Sequence, residues 1–442
     1  MPHRQGPALN PTLLLDTFGV PSGEPPPEGY IARRHFSMTA GQLRIGIVGA
    51  GIGGLTLALA LRQRGLTADV YEQASELREI GAAVSLTANG SRELERLGCL
   101  DAIAALSAEP TEFVWRGWRD DRRVAAFPVA QGGTYRSRFG APFCNIHRAD
   151  LQRVLGGAHG PDRLHLSHRL VSVSQRNRVV RLDFANGSSA EVDILVGADG
   201  QRSIVRRYVT GEERAAYSGT SGFRAIVPIR DLPSLPDPHA IQFWMGPNAH
   251  LLHYAIGPSA EDINFLAVVE GPPTWTHENW VVPISDGEAD AAFSGWHPAV
   301  MEIIRAVPLT LRWALFSVRP LRTWQRGRVV LIGDTAHGML PHHGQGANLT
   351  IEDAITLAVL LRRYGLEEFD EAMKHYHALR RARTRVIQRS ARATNTVLHL
   401  KDATEDRATA LARVPERFAW IHEYDALADV TSRLAHGASR SQ

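Results

Sequence analysis

The sequence predicts a mixed α/β fold, α+β in its overall content. An α/β unit is interrupted by an antiparallel or mixed β-sheet domain and is completed by C-terminal helices. Two observations predict this arrangement. Apolar segments that end in glycine or an acidic residue recur at 43–74, 193–200 and 329–334, as buried strands of a parallel sheet do. Residues 164–200 and 215–322 instead show the strand-like patterns of an antiparallel sheet.

The individual elements follow from local patterns. In chain order they are a strand, glycine turn and helix at 43–65, a strand with an acidic end at 68–74, helix and loop to about 140, a helix opening at 147–155, a meander at 164–200 with a hairpin turn at Asn186–Gly187, strands from about 215 to 322, a buried strand at 329–332, and helices after Gly346.

This order divides the chain into five predicted parts. They are a disordered leader at 1–42, the first part of a Rossmann-like nucleotide-binding domain at 43–214, a β-sheet domain at 215–322, the second part of the nucleotide-binding domain with long helices at 323–400, and a C-terminal helical tail at 401–442. The leader is rich in proline and glycine and lacks periodic apolar residues, so we expect it to bury little surface.

Composition excludes several classes of function. The 442 residues carry a formal charge of +3 with scattered basic side chains, so no nucleic-acid partner is expected. The two cysteines cannot form a disulfide framework or a metal cluster of known spacing, which fits a reducing cytoplasm and predicts no bound metal. Residues 45–61 are uncharged but short, and we interpret them as strand and helix rather than a membrane span. A cytoplasmic monomer or homodimer is expected.

A glycine-rich motif, GAGIGG at 49–54, follows the first strand. Gly49 permits a tight turn, Gly51 lets the backbone approach a pyrophosphate, and Gly54 lets helix and strand pack closely, with Gly53 in the same turn. The N-terminus of the following helix directs free N–H groups at phosphate. Glu72, at the end of the second strand, would accept hydrogen bonds from ribose hydroxyls. The motif alone does not separate NAD from FAD.

The residues at two further strand ends decide between NAD and FAD. DILVGADGQRSIVRR (193–207) and VVLIGDTAH (329–337), together with GAGIGG and HRADL, resemble the flavoprotein aromatic hydroxylases of the para-hydroxybenzoate hydroxylase fold. The resemblance is greatest to salicylate, 3-hydroxybenzoate and 6-hydroxynicotinate hydroxylases and covers residues 43 to about 400. It implies bound FAD, and NADH or NADPH as a transient co-substrate because no second G-x-G-x-x-G is present.

By this resemblance, a set of residues outside the glycine turn would also bind FAD. They are Arg148 at the pyrophosphate or ribityl chain, Asp199 near the pyrophosphate and the nicotinamide path, Asp334 at the ribityl hydroxyls, and Gly346, Ala347 and Asn348 under the isoalloxazine. The dipole of the helix that starts there would face the flavin atoms on which negative charge collects during reduction.

The family chemistry, oxygen transfer from a flavin C4a-hydroperoxide, needs an electron-rich ring and therefore a base for a phenolic proton. His250 and Tyr254 share a strand face and match an H-x-x-x-Y pair of the family, and His342 matches a pocket histidine. We expect His253 and His343 to be core residues. The predicted substrate-binding residues are Ser85, Arg224, Pro341 and Gln345.

The roles of Arg224 and Ser85 depend on the substrate. Arg224 would hold a substrate carboxylate or pack against FAD. The hydroxynicotinate enzymes carry a histidine where this chain has Ser85, which disfavours that substrate, since serine is no base near neutral pH.

The predicted function is FAD- and NAD(P)H-dependent hydroxylation of a small phenolic or hydroxylated heteroaromatic acid with O2. Two alternatives stay open at this point. One is a flavin oxidoreductase without oxygen insertion, such as an oxidase or quinone reductase. The other is an FAD-binding scaffold without turnover of its own.

Overall fold

The computed structural model describes residues 43–77, 83–130, 133–211, 215–399 and 414–439. The predicted leader at 1–42 and the first part of the predicted tail, 401–413, lie outside the described residues. The predicted mixed α/β fold is confirmed. Within the described residues, each helix is too short or too polar to cross a lipid bilayer.

The strands of the described residues are numbered in chain order. They are β1 Ile45–Val48, β2 Ala68–Tyr71, β3 Ala83–Leu86, β4 Ser107–Ala108, β5 Glu112–Gly117, β6 Arg123–Pro128, β7 Cys144–His147, β8 Leu164–His165, β9 Leu170–Arg176, β10 Val179–Phe184, β11 Ser189–Val192, β12 Ile194–Gly197, β13 Ala216–Pro228, β14 Ile241–Gly246, β15 Ala249–Ile256, β16 Asp262–Glu270, β17 Val281–Pro283, β18 Leu311–Ser317, β19 Gln325–Arg326 and β20 Val329–Leu331.

The helices are numbered in the same way. They are α1 Ile52–Gln63, α2 Ala88–Arg96, α3 Leu100–Ala104, α4 Thr134–Phe139, α5 Arg148–His159, α6 Ile204–Thr210, α7 Glu288–Ala292, α8 Pro298–Arg305, α9 Asp334–His337, α10 Gly346–Tyr364, α11 Phe369–Leu398, α12 Val414–His422 and α13 Ala426–Ser439. Short 3-10 helices cover Ile229–Asp231 and Pro341–His343.

A six-stranded sheet in the order β19-β20-β12-β1-β2-β8 forms the first layer. β1 pairs in parallel with β2 and β12, and β12 pairs in parallel with β20. All four residues of β1 are buried, which explains its uninterrupted apolar sequence. Because parallel strands end at the same edge, the segments that follow these four strands lie side by side. That edge is where open α/β sheets bind ligands.

A three-stranded antiparallel meander, β11-β10-β9, is attached to this layer. Its second turn contains Gly187 at φ 84°, a left-handed conformation that glycine adopts without steric cost. The predicted hairpin at Asn186–Gly187 is confirmed by the pairing of β10 with β11.

An eight-stranded sheet in the order β17-β18-β13-β16-β15-β14-β5-β6 forms the second layer. Its neighbours are antiparallel except β14 and β5, which are parallel. The expectation of helix and loop up to residue 140 was wrong here, because β5 and β6 join this sheet. β5 and β6 pair with each other as a local hairpin, and β5 joins the sheet through β14, which lies more than 100 residues further along the chain.

Helices α10 and α11 are joined by buried charges. Arg380 donates from Nε to Asp353 Oδ1 (2.7 Å) and contacts Glu352 Oε2 with Nη2 (2.7 Å), and all three side chains are fully buried. Arg383 donates two further hydrogen bonds to Glu352. The guanidinium groups compensate these two buried carboxylates, and Asp353 also accepts a hydrogen bond from Gly333 N (2.9 Å) and contacts His337 Nε2 (2.5 Å).

We therefore expect Arg380→Ala to destabilise the protein by about 3–5 kcal/mol, since Asp353 would be left buried with one fewer partner. Thermal unfolding followed by circular dichroism measures the effect. Arg389→Ala, on an exposed position of the same helix, is the matched control. An unfolding midpoint equal to that of the control would contradict the role of the buried charges.

Candidate functional site

The glycine turn after β1 has no room for side chains at three positions. A Cβ atom added to Gly49, which has φ +104°, would lie 2.4 Å from the carbonyl oxygen of Ala198. At Gly54 it would lie 1.9 Å from the carbonyl oxygen of Gly49, and at Gly53 it would lie 2.3 Å from Thr350 Cγ2. These distances are too short for real contacts, so the strand, turn and helix pack this closely only with glycine.

Gly51 differs from its neighbours. Among the described residues, no heavy atom lies within 4 Å of a Cβ atom added there. Its backbone angles, φ −73° and ψ −175°, are open to any residue, and Gly51 lines the main cavity. The space beside this residue is therefore part of the site rather than of the fold. The N-terminus of α1, which starts at the next residue, provides N–H groups and a positive dipole end for a phosphate there.

Glu72, after β2, connects two segments of backbone. Its Oε2 accepts a hydrogen bond from Ala50 N (2.8 Å), and its Oε1 accepts one from Ala74 N (2.9 Å). Each carboxylate oxygen has a second lone pair that can accept a ribose hydroxyl. The side chain thus fixes the glycine turn and retains capacity for a ligand.

The carboxylate of Asp199, after β12, is occupied by hydrogen bonds within the protein. Its carboxylate accepts hydrogen bonds from Ser203 Oγ (2.5 Å), Ile204 N (2.8 Å) and Val205 N (3.2 Å), and so caps helix α6. Burial raises the pKa of Asp199, and these hydrogen bonds act in the opposite direction. The neighbouring residue Gly200, rather than Asp199, lines the cavity.

Asp334, the first residue of α9, follows the end of β20, lines the cavity and lies opposite the start of α10. A Cβ atom added to Gly346 would lie 3.8 Å from Asp334 Oδ1. Gly346 and Ala347 line the cavity, and their N–H groups belong to the unsatisfied first turn of α10. Arg148, the first residue of α5, lines the same cavity and is exposed. This edge therefore presents a carboxylate, free N–H groups and a cation to one ligand.

Asn348 lies behind this loop. Its Oδ1 accepts from Thr87 N (3.0 Å), and its Nδ2 donates to the carbonyl oxygens of Ser85 (3.0 Å) and Gly344 (2.8 Å). The amide fixes the loop before α10 to the end of β3. Its side chain is thus used within the protein, and the predicted contact with FAD would fall to the backbone of this turn.

The cavity has a volume of about 700 Å³ and continues from the sheet edge to the eight-stranded sheet. Most of its lining area is apolar. The sequence-predicted residues that line it are Gly51, Gly53, Ser85, Arg148, Arg224, Tyr254, Asp334, Pro341, His342, Gln345, Gly346 and Ala347. One space therefore unites most of the residues predicted to bind cofactor and those predicted to bind substrate.

Of the predicted catalytic pair on β15, Tyr254 lies at the cavity wall and His250 lies behind it. Tyr254 lines the cavity, and burial raises its pKa, while a hydrogen bond with Ser85 acts in the opposite direction. His250 is 1% exposed and lies behind His342, with the two ring centroids 5.1 Å apart. Burial, reinforced by His342 and His399, holds the pKa of His250 well below its usual value.

The two histidines after Pro341 both line the cavity. Burial lowers the pKa of His342 to about 3, so its imidazole is neutral at neutral pH. His343 has a pKa lowered to about 4 by burial, and its Nε2 lies 3.2 Å from Ser390 Oγ and 3.1 Å from Thr394 Oγ1. Side-chain hydroxyls thus satisfy its ring, but His343 is half-buried at the cavity wall rather than in the core, where it was expected. His253 is buried and accepts a hydrogen bond from Trp244 Nε1 (3.2 Å).

The predicted substrate residues differ in how far their polar groups are occupied. The Gln345 amide accepts from Asn89 (3.1 Å) and donates to Thr87 Oγ1 (3.0 Å), so it is occupied within the protein. Arg224 is half-buried, and its guanidinium carbon lies 3.4 Å from the ring centroid of Trp313, in a cation–π contact. Ser85 donates from Oγ to Asn145 Oδ1 (2.7 Å).

Sequence reasoning missed one wall of the cavity. It is formed by aromatic residues of β5, β6, α4 and β14, by the residue just before β7, and by residues of α12: Phe113, Trp115, Phe127, Tyr135, Phe139, Phe143, Phe243, Phe418, Trp420 and His422. Tyr135 Oη lies 3.1 Å from Nδ1 of His422 and binds α12 to this wall. The aromatic content of 112–143 was visible in the sequence, but the contact with α12, almost 300 residues away, was not.

Comparison with known proteins supplies the class. The chain matches the FAD binding domain family over residues 42–391. It is 37% identical over 394 residues to the 3-amino-4-hydroxybenzoate 2-monooxygenase PtmB3 of Streptomyces platensis, covering 88% of this chain and 98% of that protein. It is 34% identical over 351 residues to the 6-hydroxynicotinate 3-monooxygenase of Bordetella bronchiseptica, covering 79% and 90%.

Solved structures give the same result. A salicylate hydroxylase substrate complex superposes with a TM-score of 0.76 at 27% identity, covering 88% of this chain and 97% of that one. Klebsiella pneumoniae HpxO complexed with FAD and uric acid superposes with a TM-score of 0.72 at 27% identity, covering 89% and 96%.

The fold and the cavity define a flavin-dependent monooxygenase of the aromatic hydroxylase class. The chain belongs to the FAD binding domain family, and the predicted family, enzyme class and FAD cofactor are confirmed. The residues present fit FAD. Open space beside Gly51 at a helix N-terminus suits the pyrophosphate, and the Asp334 carboxylate at the cavity wall suits hydroxyl groups. Glu72 is not among the residues that line the cavity, but it lies beside the glycine turn and retains lone pairs for a ribose hydroxyl.

We expect Gly51→Leu to lose FAD while the fold is retained, because its side chain would occupy only the space that the pyrophosphate needs. The ratio of flavin absorbance to protein absorbance measures FAD content, and circular dichroism measures folding. Gly157→Leu, an exposed position of α5 with equally open surroundings, is the control. Full FAD content in Gly51→Leu would show that the pyrophosphate lies elsewhere.

Proposed function

We propose that the chain hydroxylates a small aromatic acid that carries a ring hydroxyl, with NADH or NADPH as reductant and O2 as oxidant. The observation that carries this proposal is the single cavity that joins the sheet edge near Gly51 to Tyr254 and His342. Bound FAD supplies the redox chemistry, taking electrons from the nicotinamide and activating oxygen. The protein has to bind the ring, raise its electron density and exclude water.

Binding of the ring is assigned to the apolar part of the cavity. Aromatic side chains make up much of its wall, and they offer stacking and edge contacts to a substrate ring. They also limit the access of water, which protects a reactive oxygen species from decay. Arg224 is the cation proposed for the substrate carboxylate, with its guanidinium held against Trp313.

Activation of the ring is assigned to Tyr254 and His342. Because burial raises its pKa, Tyr254 keeps its proton near neutral pH. It is therefore proposed as a hydrogen-bond donor to the substrate oxygen rather than as the base. His342 is neutral because burial lowers its pKa to about 3, so it has a lone pair available for the phenolic proton. Because the same burial makes this imidazole a weak base, we propose that it accepts a hydrogen bond from the ring hydroxyl.

Among aromatic acids, we propose a hydroxybenzoate, with or without an amino group, ahead of a hydroxynicotinate. The aminohydroxybenzoate relative is 37% identical and the hydroxynicotinate relative 34% identical. Ser85 supports the same order, because its hydroxyl bonds Asn145 and is no substitute for a basic histidine.

The direct test offers the purified holoprotein a panel of ring-substituted acids and measures NAD(P)H oxidation and hydroxylated product together. We expect hydroxybenzoates, 3-amino-4-hydroxybenzoate among them, to stimulate oxidation and to give close to one product per NAD(P)H. Benzoate without a ring hydroxyl should stimulate little. Oxidation that yields hydrogen peroxide with every acid would refute hydroxylation and favour an oxidase.

A second test addresses Tyr254. Tyr254→Phe should keep FAD and lower the rate of product formation about tenfold, the loss expected when one hydrogen bond to a charged oxygen is removed. Hydrogen peroxide should account for the NAD(P)H not used in hydroxylation. Tyr208→Phe, on α6 and not among the residues that line the cavity, is the control. Product formation at the control rate would remove Tyr254 from the mechanism.

A further inference from the structure

The cavity continues past Tyr254 in the direction away from Arg224. In the eight-stranded sheet, Arg224 on β13 lies two strands to one side of Tyr254 on β15, and Phe127 on β6 lies three strands to the other side. All three residues line the cavity. Neighbouring strands are about 4.8 Å apart, so the cavity reaches about 14 Å beyond Tyr254 toward β6. A single aromatic ring held at Tyr254 leaves this part of the cavity free.

We name this part the aromatic arm and define it by Trp115, Phe127 and Phe243 on the sheet and by Phe139 and His422 on α4 and α12. Phe243 pairs in register with Trp115, and their rings stack with centroids 5.6 Å apart. Rings of this kind offer stacking and edge contacts to a passing aromatic ligand.

The aromatic arm opens to solvent beside α4. Pro128, Thr134 and Arg138 line the cavity there and are exposed. This opening lies away from the glycine turn after β1, where the residues fit FAD. The arm therefore offers a ligand a way to Tyr254 that does not cross the part of the cavity suited to the cofactor.

A cation without an acidic partner lies at this opening. The guanidinium carbon of Arg138 is 5.0 Å from the ring centroid of Phe139, in a cation–π contact. Within the described ranges, Arg138 forms no ion pair with a carboxylate. An uncompensated charge at the opening of a low-dielectric cavity attracts ligands of opposite charge.

His422 adds a hydrogen-bond donor of fixed orientation. Tyr135 Oη accepts a hydrogen bond from Ala88 N (3.0 Å), which leaves the phenolic proton for His422 Nδ1, 3.1 Å away. Burial raises the pKa of Tyr135, so the phenol keeps that proton to donate. Burial lowers the pKa of His422 to about 3, so its neutral ring carries one proton, which belongs on Nε2.

Phe139 brings the donor and the cation to one place. Its ring contacts that of His422 edge to face, with centroids 5.5 Å apart, and it also contacts the Arg138 guanidinium. His422 lines the cavity, and its Nε2 makes no hydrogen bond to another described residue. A guanidinium and an N–H beside an aromatic surface are complementary to the carboxylate of an aromatic acid.

The helix that carries His422 is held in place from the other side. Arg383 Nη2 donates to the carbonyl oxygen of Ile421 (2.9 Å), and the same guanidinium is paired with buried Glu352. Helix α12 lies beyond residues 42–391, which the FAD binding domain family matches. His422 is thus supplied by a part of the chain outside the matched domain.

We propose that Arg138 and His422 form a docking subsite for the carboxylate of the aromatic acid, which binds there first and then moves along the aromatic arm to Tyr254. The proposal rests on the proposed function, because its occupant is the acid named there. Arg224 lies beyond Tyr254 and holds the carboxylate only after this movement. Tyr135 is a positioning residue that acts through His422.

The test measures association with the oxidised holoprotein, without turnover. Stopped-flow absorbance of the flavin follows the binding of 3-amino-4-hydroxybenzoate, and 3-amino-4-hydroxybenzamide is its uncharged counterpart. Arg138→Gln should lower the association rate constant of the acid about fivefold at low ionic strength and leave that of the amide unchanged, because only the acid is steered by charge. Added salt should bring the wild-type rate toward that of the variant.

Arg136→Gln is the matched control, since Arg136 is exposed on the same helix and is not among the residues that line the cavity. It should bind the acid at the wild-type rate. Equal association rates in Arg138→Gln and Arg136→Gln would overturn the docking subsite. An equal loss for acid and amide in Arg138→Gln would also overturn it, because the residue would then act on passage alone.

A second pair of variants tests the N–H of His422. His422→Phe should slow association of the acid about threefold, the effect of one lost hydrogen bond. His422→Gln should bind near the wild-type rate, because its amide can accept from Tyr135 and donate to the carboxylate. Equal rates in these two variants would remove His422 from the subsite. Wild-type protein that binds the acid at a salt-dependent rate but hydroxylates no phenolic acid would overturn the proposed function alone.

Discussion

The parallel pairing of β2, β1, β12 and β20 is the constraint on which the rest of the structure depends. It brings four distant chain segments to one sheet edge, and each supplies a different chemical group. The turn after β1 offers a helix N-terminus, Glu72 and Asp334 offer carboxylates, and the segment after β12 offers a capped loop. None of these groups alone would define a dinucleotide site. Together at one sheet edge they suit a dinucleotide, because such a ligand is long enough to contact all of them.

The start of α10 depends on a second constraint, the buried network beneath it. Gln345 and Asn348 are held by Thr87 and Asn89, and Asn89 in turn donates to Glu352 Oε1 (2.6 Å). Glu352 is compensated by the arginines of α11. Side chains that resemble ligand contacts in the sequence are therefore consumed in fixing the loop. We propose that the backbone of that loop, with the dipole of α10, faces the flavin.

Local patterns were sufficient for the sheet edge, since glycine spacing and apolar strands are set by neighbouring residues. They correctly predicted the central strands of the first layer and the meander of β9, β10 and β11, but Leu164–His165, which the predicted meander included, pairs in parallel with β2. They missed the local hairpin of β5 and β6, whose place in the sheet depends on the pairing of β5 with the distant β14, and they missed α12, whose contact with Tyr135 spans most of the chain. The shared face of His250 and Tyr254 followed from strand periodicity, but the position of His250 behind His342 depended on the loop after Pro341. Long-range packing, rather than residue type, decided these cases.

We propose that the enzyme transfers one oxygen atom from O2 to an aromatic ring bound in this cavity. The most direct measurement is turnover of a hydroxybenzoate under oxygen-18 gas, with mass spectrometry of the product. We expect one labelled oxygen atom in each product molecule, introduced at a ring carbon. Product that carries unlabelled oxygen from water, or label found only in hydrogen peroxide, would contradict it.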